Sequence, residues 1–204
     1  MTADTVVALL DRQQVHFTEV RSVNWPSAYP YQPQFAFRAA VTEGELLLHY
    51  RVEEQTVRAV VAADGGEVWT DSCAECFLLA ADGRTYYNIE CTCVGTLLIA
   101  QGTGRGDRTP LPAEALQGVS RWASLGREPF GVREEPTCWE LALAIPLSTL
   151  PLVDFALPLQ GNVYKCGDGL PVPHFLSWAP ISTPEPDFHR PEFFRTLPVV
   201  EVRE

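Results

Sequence analysis

Short apolar runs separated by turn residues recur along the chain. The clearest pair, residues 68–79 and 86–93, flanks the turn Ala81-Asp82-Gly83-Arg84. An Asp-Gly pair between two β-rich runs is a strong hairpin signal. Residues 34–40 and 45–52 flank Thr42-Glu43-Gly44 in the same way. We therefore predict two antiparallel hairpins.

The rest of the chain extends this pattern. In residues 137–145 apolar positions alternate, which places Trp139 on a buried face. Proline-rich loops are expected at residues 24–33 and 183–194, and a glycine-rich flexible loop at 101–110. Further strand-like runs lie at residues 16–23, 56–62, 96–100, 121–125, 162–166, 174–178 and 197–202. Residues 1–14 predict a short helix or an extended arm, and residues 112–119 and 146–150 predict short helical segments.

Many short strands with turns between them are typical of a sandwich or a barrel. We predict an all-β fold, an antiparallel β-sandwich with a few short helices, as one domain over residues 1–204.

The charge of the chain narrows the choice of partners. The formal net charge is −11, and no cluster of Lys and Arg is present. Nucleic acid and anionic membrane surfaces both need a basic patch, so neither is expected as a partner. No apolar run has the length of a membrane span. The first residues lack the basic region of a signal peptide, which predicts a cytoplasmic location.

Six cysteines are present, and most of them fall inside apolar strand-like runs. Free cysteine behaves as a small hydrophobe there, so reduced core thiols are expected. A zinc site made of Cys73, Cys76, Cys91 and Cys93 is the alternative. The spacing Cys91-x-Cys93 does not match a zinc knuckle, which argues against that alternative.

Two tryptophans suggest a binding surface. Trp69 precedes the strand that carries Glu75, and Trp178 is the last residue of the strand-like run 174–178. Asn88 and Glu90 share one face of their strand because side chains alternate. Sugar rings stack on indoles and need acceptors for their hydroxyls, so these five residues predict a sugar site. The alternative is that either tryptophan belongs to the core.

Catalytic motifs are weak. The chain has no Gly-x-Ser-x-Gly or His-Glu-x-x-His motif, and its four histidines are isolated. Glu75 and Glu90 could be neighbours across the first hairpin, and paired carboxylates are the equipment of a glycosidase. A glycoside-processing enzyme is therefore the alternative function, weighed against polar strand residues that only face a groove or solvent.

Several segments spread over the chain resemble the carbohydrate-binding family 9-like proteins of Bacteroidetes, which are related to the family 9 modules of xylanases. The segment from Trp178 to Phe194 is the most specific of them. The others are Asn24-Trp25-Pro26, residues 68–75, Tyr86-Tyr87-Asn88, residues 122–126, residues 164–168 and residues 173–178.

The resemblance implies a DOMON-like, jelly-roll-like sandwich. It implies that Trp69 and Trp178 clamp a sugar of a glucan- or xylan-like oligo- or polysaccharide, and that Glu75 is a ligand-binding glutamate. Glu90 stands where the xylanase modules carry a ligand-binding arginine. Structural calcium is also implied, with Asp64, Asp71 and Asp82 as available oxygens, although no calcium-loop spacing is present. Some DOMON relatives carry haem, but the only methionine here is Met1, so an internal Met/His axial pair is excluded.

Overall fold

The computed structural model describes residues 1–203 and consists of two large β-sheets packed face to face. The six-stranded sheet has the order β1-β3-β4-β12-β10, with β16 added beside β3. Its strands are β1 (Thr18–Glu19), β3 (Gln34–Val41), β4 (Glu45–Glu54), β10 (Ser120–Ala123), β12 (Thr137–Pro146) and β16 (Val199–Glu201).

The eight-stranded sheet has the order β2-β14-β13-β6-β7-β8-β9, with β15 added beside β13. Its strands are β2 (Ser22–Val23), β6 (Cys73–Leu79), β7 (Tyr86–Thr92), β8 (Leu97–Gly102), β9 (Thr109–Pro110), β13 (Gln160–Cys166), β14 (Phe175–Ser177) and β15 (Arg195–Thr196). The strands β5 (Val57–Ala59) and β11 (Phe130–Arg133) pair separately.

Helices are few. They are α1 (Ala3–Arg12), α2 (Ala113–Gln117) and three 3-10 turns, Val68–Thr70, Leu147–Thr149 and Pro191–Phe193. The apolar face of α1 packs on the outer face of the six-stranded sheet, where Val6 and Leu10 meet Leu47 and Ala142. None of the helices in residues 1–203 has both the length and the apolar composition that a membrane crossing requires.

The main core fills the space between the two sheets. Phe37, Leu48 and Leu141 enter it from the six-stranded sheet, and Cys76 and Ile89 enter it from the eight-stranded sheet. Because side chains alternate along a strand, the odd-numbered residues of β6 and the even-numbered residues of β7 are turned to the opposite, outer face.

The predicted all-β sandwich is confirmed, and so are both hairpins. Trp139 is 1 % exposed in the main core, as the alternation predicts. One pairing differs from the prediction, since β16 runs parallel to β3. The chain reaches β16 directly from β15 of the eight-stranded sheet, and a connection between sheets imposes no antiparallel direction.

Candidate functional site

A pocket opens on the outer face of the eight-stranded sheet. Glu75 of β6 stands directly opposite Glu90 of β7 and Tyr164 of β13. Residues opposite one another in antiparallel strands share a face, so all three point outward together. The pocket has a volume of about 330 Å³ and is lined by Tyr29, Trp69, Glu75, Glu90, Arg105, Arg108, Cys166, Asp168, Phe175, Glu185, Pro186, Asp187, Phe188 and His189.

Trp69 forms one aromatic wall and is held by its backbone. It lies in the 3-10 turn before β6, and its carbonyl accepts a hydrogen bond from the Asp168 N–H at 3.1 Å. The Arg58 guanidinium donates to the carbonyls of Thr70 and Gly169, at 3.2 and 2.8 Å. A Cβ on Gly169 would overlap that guanidinium. The indole ring is half-buried, so part of it is free to contact a ligand.

A second aromatic group comes from the proline-rich loop before β3. Tyr29 is half-buried and packs edge-on against Phe175 of β14, with ring centroids 4.7 Å apart. The indole N–H of Trp25 donates to the Thr183 carbonyl at 2.7 Å and so ties this loop to the C-terminal loop. Tyr29 therefore has a fixed place in the pocket wall.

The two glutamates are each 2 % exposed. Burial, followed by the nearby Glu90 charge, raises the pKa of Glu75 well above its ordinary value. Burial also raises the pKa of Glu90 to about 7. Arg108 and Asn88 oppose this second shift: Arg108 Nη1 lies 3.4 Å from Glu90 Oε1, and Asn88 Nδ2 donates to the same oxygen at 2.7 Å. The Cys166 thiol donates to Glu75 Oε1 at 2.9 Å.

The arginines of the pocket come from the loop between β8 and β9. Asp107 orders this loop, because its carboxylate accepts hydrogen bonds from the N–H groups of Thr103 and Gly104. Arg105 and Arg108 thereby line the pocket beside Glu90. Glu90 stands where the resemblance to the xylanase modules implies a ligand-binding arginine. In this chain the loop between β8 and β9 brings two guanidinium groups to the same pocket.

The C-terminal loop closes the opposite wall. Phe188 stacks on Tyr164 with centroids 4.2 Å apart and an angle of 9° between the rings. His189 Nδ1 lies 3.0 Å from the Tyr86 hydroxyl, and burial lowers the pKa of His189 to about 3. His189 is therefore neutral near pH 7 and adds no positive charge to the pocket.

The structure brings together Trp69, Glu75 and Glu90 from the predicted set. Asn88 lies just behind them and contacts Glu90. Sequence reasoning did not select Tyr29, Arg105, Arg108, Asp168 or Cys166 as site residues. The two arginines sit in a glycine-rich loop with no strand pattern, so only the tertiary fold places them beside the acids. Tyr29 and Cys166 carried a weak signal, since both lie in or next to aromatic-rich segments.

The prediction that Trp178 forms the second wall needs correction. Ser177 of β14 is opposite Tyr164 and faces outward, so the next residue faces the other way. The Trp178 ring packs against the main core between the sheets and meets Phe37 edge-on at 6.3 Å. The two indoles therefore lie on different faces of the sheet, and only Trp69 reaches the pocket.

The three aspartates considered for calcium are separate and each has protein partners. Asp64 pairs with Arg121 at 2.7 Å, and Asp71 accepts the Val61 N–H at 2.8 Å. Asp82 caps its own turn by accepting from Arg84 and Thr85 N–H groups. The four-cysteine zinc alternative is also split, because Cys76 and Cys91 face the main core whereas Cys73 faces outward. Calcium stays a prediction.

Comparison with known proteins gives one family. The family model described as carbohydrate-binding family 9 matches residues 4–199. None of the curated proteins compared with the chain matches it significantly.

Two solved structures that resemble this chain also come from proteins described as carbohydrate-binding. A Bacteroides uniformis protein, proposed to bind carbohydrate, is 44 % identical with a TM-score of 0.90, over 95 % of this chain and 90 % of that one. A family 9 module from Caldicellulosiruptor kristjanssonii, solved in complex with glucose, is 12 % identical with a TM-score of 0.51, over 94 % of this chain and 87 % of that one. At 12 % identity the second likeness concerns the fold alone.

Proposed function

The chain belongs to carbohydrate-binding family 9, and from this premise we propose that the outer pocket binds a sugar ring without changing it chemically. One observation carries the proposal: a half-exposed indole, Trp69, shares one pocket with the buried carboxylates Glu75 and Glu90. Small-molecule sites combine an apolar wall with a few fixed polar groups in this way. The apolar C–H face of a sugar suits the indole, and its hydroxyls suit the carboxylates.

The polar contacts of the bound sugar follow from what each group still has free. Within residues 1–203, Glu90 Oε2 is buried and has no hydrogen-bond partner, so it is the first acceptor for a sugar hydroxyl. Leaving such an oxygen unpaired costs about 1–3 kcal/mol, which a hydroxyl donor would recover. Arg105 and Arg108 donate to sugar oxygens from the rim beside Glu90. Tyr29 takes the place of the second aromatic wall.

The charge and size of the pocket favour neutral sugars of modest length. Five acidic residues line it against two arginines: Glu75, Glu90, Asp168, Glu185 and Asp187. The raised pKa of Glu75 keeps that carboxyl protonated and His189 is neutral, but Asp168, Glu185 and Asp187 still outnumber the arginines in formal charge. Acidic sugars are disfavoured because their carboxylates would add to this negative charge. A volume of about 330 Å³ lies at the lower end of the range for small-molecule sites, roughly 300–1,000 Å³. We propose the terminal one or two rings of a glucan- or xylan-like chain.

The test is binding of glucose, cellobiose and xylobiose to the wild-type protein and to a Trp69→Ala variant, measured by calorimetry and by tryptophan fluorescence. We expect Trp69→Ala to lower the affinity at least tenfold and to abolish the sugar-induced fluorescence change. The folded state should be retained, because the ring is only half-buried. Trp178→Ala is the matched control and should keep the affinity, since its ring faces the core. Unchanged affinity in Trp69→Ala together with lost affinity in Trp178→Ala would contradict the proposal.

A glycoside-processing reaction is the second candidate. It is favoured by the direct opposition of Glu75 and Glu90 across β6 and β7, with both pKa values raised. A glycosidase needs one carboxyl protonated and one ionised, with a separation that sets the stereochemical outcome. Turnover of chromogenic glycosides that disappears in Glu75→Gln would establish this function. Binding without turnover would leave the non-catalytic proposal standing.

A further inference from the structure

We propose that Cys73, Cys166 and Glu75 form a site for a thiophilic divalent metal ion of the Zn²⁺ type beneath the outer pocket. The site goes beyond sugar binding, although it shares Glu75 with the pocket, and it stands whether or not a sugar binds. It also differs from the calcium and four-cysteine alternatives, neither of which includes Cys166.

The strand register builds the cluster. Cys166 of β13 is the direct partner of Cys73 in β6, and Glu75 is two residues further along the same face of β6. One ligand atom from each of the three residues lies within 4.8 Å of the others. Metal–ligand bonds of roughly 2.0–2.3 Å place the ligands of a tetrahedral zinc about 3–4 Å apart, so small side-chain movements suffice.

The contacts and burial at the cluster suit a cation. Cys73, Glu75 and Cys166 are at most 2 % exposed, and the Cys166 sulfur lies 2.9 Å from Glu75 Oε1. Burial raises the pKa of the Cys73 thiol to about 12, so both thiols are protonated in the absence of metal. Metal binding breaks the S–H bonds of Cys73 and Cys166, forms two metal–sulfur bonds and releases to solvent the two thiol protons together with any proton held by Glu75. The Cys166 proton that now satisfies Glu75 is then replaced by the metal ion itself.

An independent observation also points to a cation. Glu90 stands opposite Glu75, lines the same pocket and is 2 % exposed. Its Oε2 has no hydrogen-bond partner anywhere in the part of the chain that the structure describes. Two carboxyl groups buried side by side can both be ionised only at the cost of repulsion between their charges. A divalent ion on Glu75 would relieve that repulsion.

The donor set selects the metal. Thiolates are soft ligands that favour Zn²⁺ and similar ions, whereas Ca²⁺ and Mg²⁺ prefer oxygen ligands only. Three protein ligands leave a fourth position of a tetrahedral ion. Asp168, two residues after Cys166, lines the same pocket but lies outside the cluster of three ligand atoms, so it could fill that position only after its side chain moves. A water molecule or a sugar hydroxyl is the other option.

The remaining core cysteines serve as internal controls. Cys76 lies on the same strand as Cys73, three residues further on, but it faces the main core between the sheets. Among residues 1–203, no cluster of three metal-ligating side chains includes Cys76. Cys76→Ala therefore tests whether any cysteine of β6 would give the same signal.

The experiment titrates the fully reduced protein with Zn²⁺ and with Cd²⁺. Metal content after equilibrium dialysis gives the stoichiometry, and the ultraviolet thiolate-to-cadmium band identifies sulfur ligation. We expect one ion per chain, a release of at least two protons (the two thiol protons and any proton held by Glu75) and a charge-transfer band. Cys73→Ser and Cys166→Ser should each lower the affinity at least tenfold and weaken the band, because removing a group that only hydrogen-bonds to a metal ligand already costs about 10–100-fold. Cys76→Ala should leave both unchanged.

Three results would overturn the proposal: no thiolate band in the reduced wild-type protein, a band that persists in both serine variants, or an equal loss in Cys76→Ala. A Cys73–Cys166 disulfide that forms without metal affinity in the reduced protein would also overturn it. Trp69→Ala separates this proposal from the proposed function, since it should retain Zn²⁺ while losing sugar. Metal binding without sugar binding would therefore reject only the sugar site.

Discussion

Two clusters of buried charge lie on opposite faces of β13. Two consecutive residues of this strand each belong to one of the clusters. Lys165 points inward and Cys166 points outward. On the inner side, Lys165 Nζ lies 2.9 Å from Glu54 Oε2 and 2.8 Å from His174 Nε2, and it donates to the Cys166 carbonyl. The indole N–H of Trp139 donates to the other Glu54 oxygen at 2.7 Å.

The inner cluster is balanced. The single carboxylate of Glu54 meets a single ammonium, and all three hydrogens of that ammonium have a direction to point in. Burial lowers the pKa of His174 well below its ordinary value, so the ring is neutral and its Nε2 accepts from Lys165. Among residues 1–203, Glu54 Oε2 accepts no well-directed hydrogen bond, but it lies at ion-pair distance from the Lys165 ammonium, so its charge is met inside the core and the cluster fixes one arrangement there.

The outer cluster is unbalanced. Glu75 and Glu90 are as buried as Glu54, yet the charged groups that face them are one another, the Asp168 carboxylate and two arginines at the rim. Both pKa values are raised, and Glu90 Oε2 has no hydrogen-bond partner among residues 1–203. The comparison shows that burial of charge does not itself indicate function. Buried acidic groups that lack hydrogen-bond donors or cations are the better indication of a binding site.

The largest expected effect comes from breaking the balanced cluster. Lys165→Met leaves Glu54 buried without its cation, which should lower the free energy of unfolding by about 3–5 kcal/mol. Urea denaturation measures the change. The double variant Lys165→Met/Glu54→Gln is the control, because removing both charges restores neutrality and should recover much of the loss. A single variant no less stable than the double would contradict the assignment.

At the unbalanced cluster, in contrast, we expect that ionisation of a native residue, Glu90, lowers the stability of the protein. Native Glu90 keeps its proton up to about pH 7, whereas its ordinary pKa is 4.5. Unfolding therefore releases a proton between these values, so the stability of the wild-type protein should fall as the pH rises through this window. The scale is on the order of 1.4 kcal/mol per pKa unit.

Glu90→Gln removes this titration. It should flatten the pH dependence between pH 4.5 and 7 and leave the protein at least as stable as the wild type near pH 8. Sugar affinity should fall, because the free acceptor is lost. Urea titrations at a series of pH values measure the stability. An unchanged slope in the variant would assign the titration to other groups, Glu75 first among them.

The smallest effect is expected at the rim. Arg108→Gln removes the cation that holds down the pKa of Glu90, so that pKa should rise further. The pH range over which the stability falls should then extend upward by less than about one unit. Sugar affinity should fall about three- to tenfold through the lost donor. Arg133→Gln, at an exposed position of β11 in the separate β5–β11 pair, is the matched control for the loss of one positive charge. Equal changes in both variants would mean that only net charge matters.

The hairpins, the buried Trp139 and the all-β sandwich could be predicted because their signals are local. Alternation and turn residues act over a few positions, and an Asp-Gly turn forces neighbouring strands to pair. Glu75 and Glu90 belong to the same hairpin, so their opposition also followed from a local register. Trp69 was found because it sits at the entry to that hairpin.

The rest of the pocket depends on contacts between distant segments. Trp178 was misplaced by one residue of alternation, because the sequence does not say which residue of β14 faces outward until β13 pairs with it. Arg105 and Arg108 come from a loop without a periodic pattern. Cys166 and Cys73 are far apart in the chain and become neighbours only because β13 pairs with β6.

The sequence by itself determined which segments become strands and which side chains share a face of the central hairpin. The tertiary structure alone decided which strands adjoin that hairpin, and therefore whether a buried charge meets its counterion. The physical reason is one of range. Backbone alternation and turn geometry act between near neighbours in the chain, whereas electrostatic balance depends on every group that packing brings within a few ångströms.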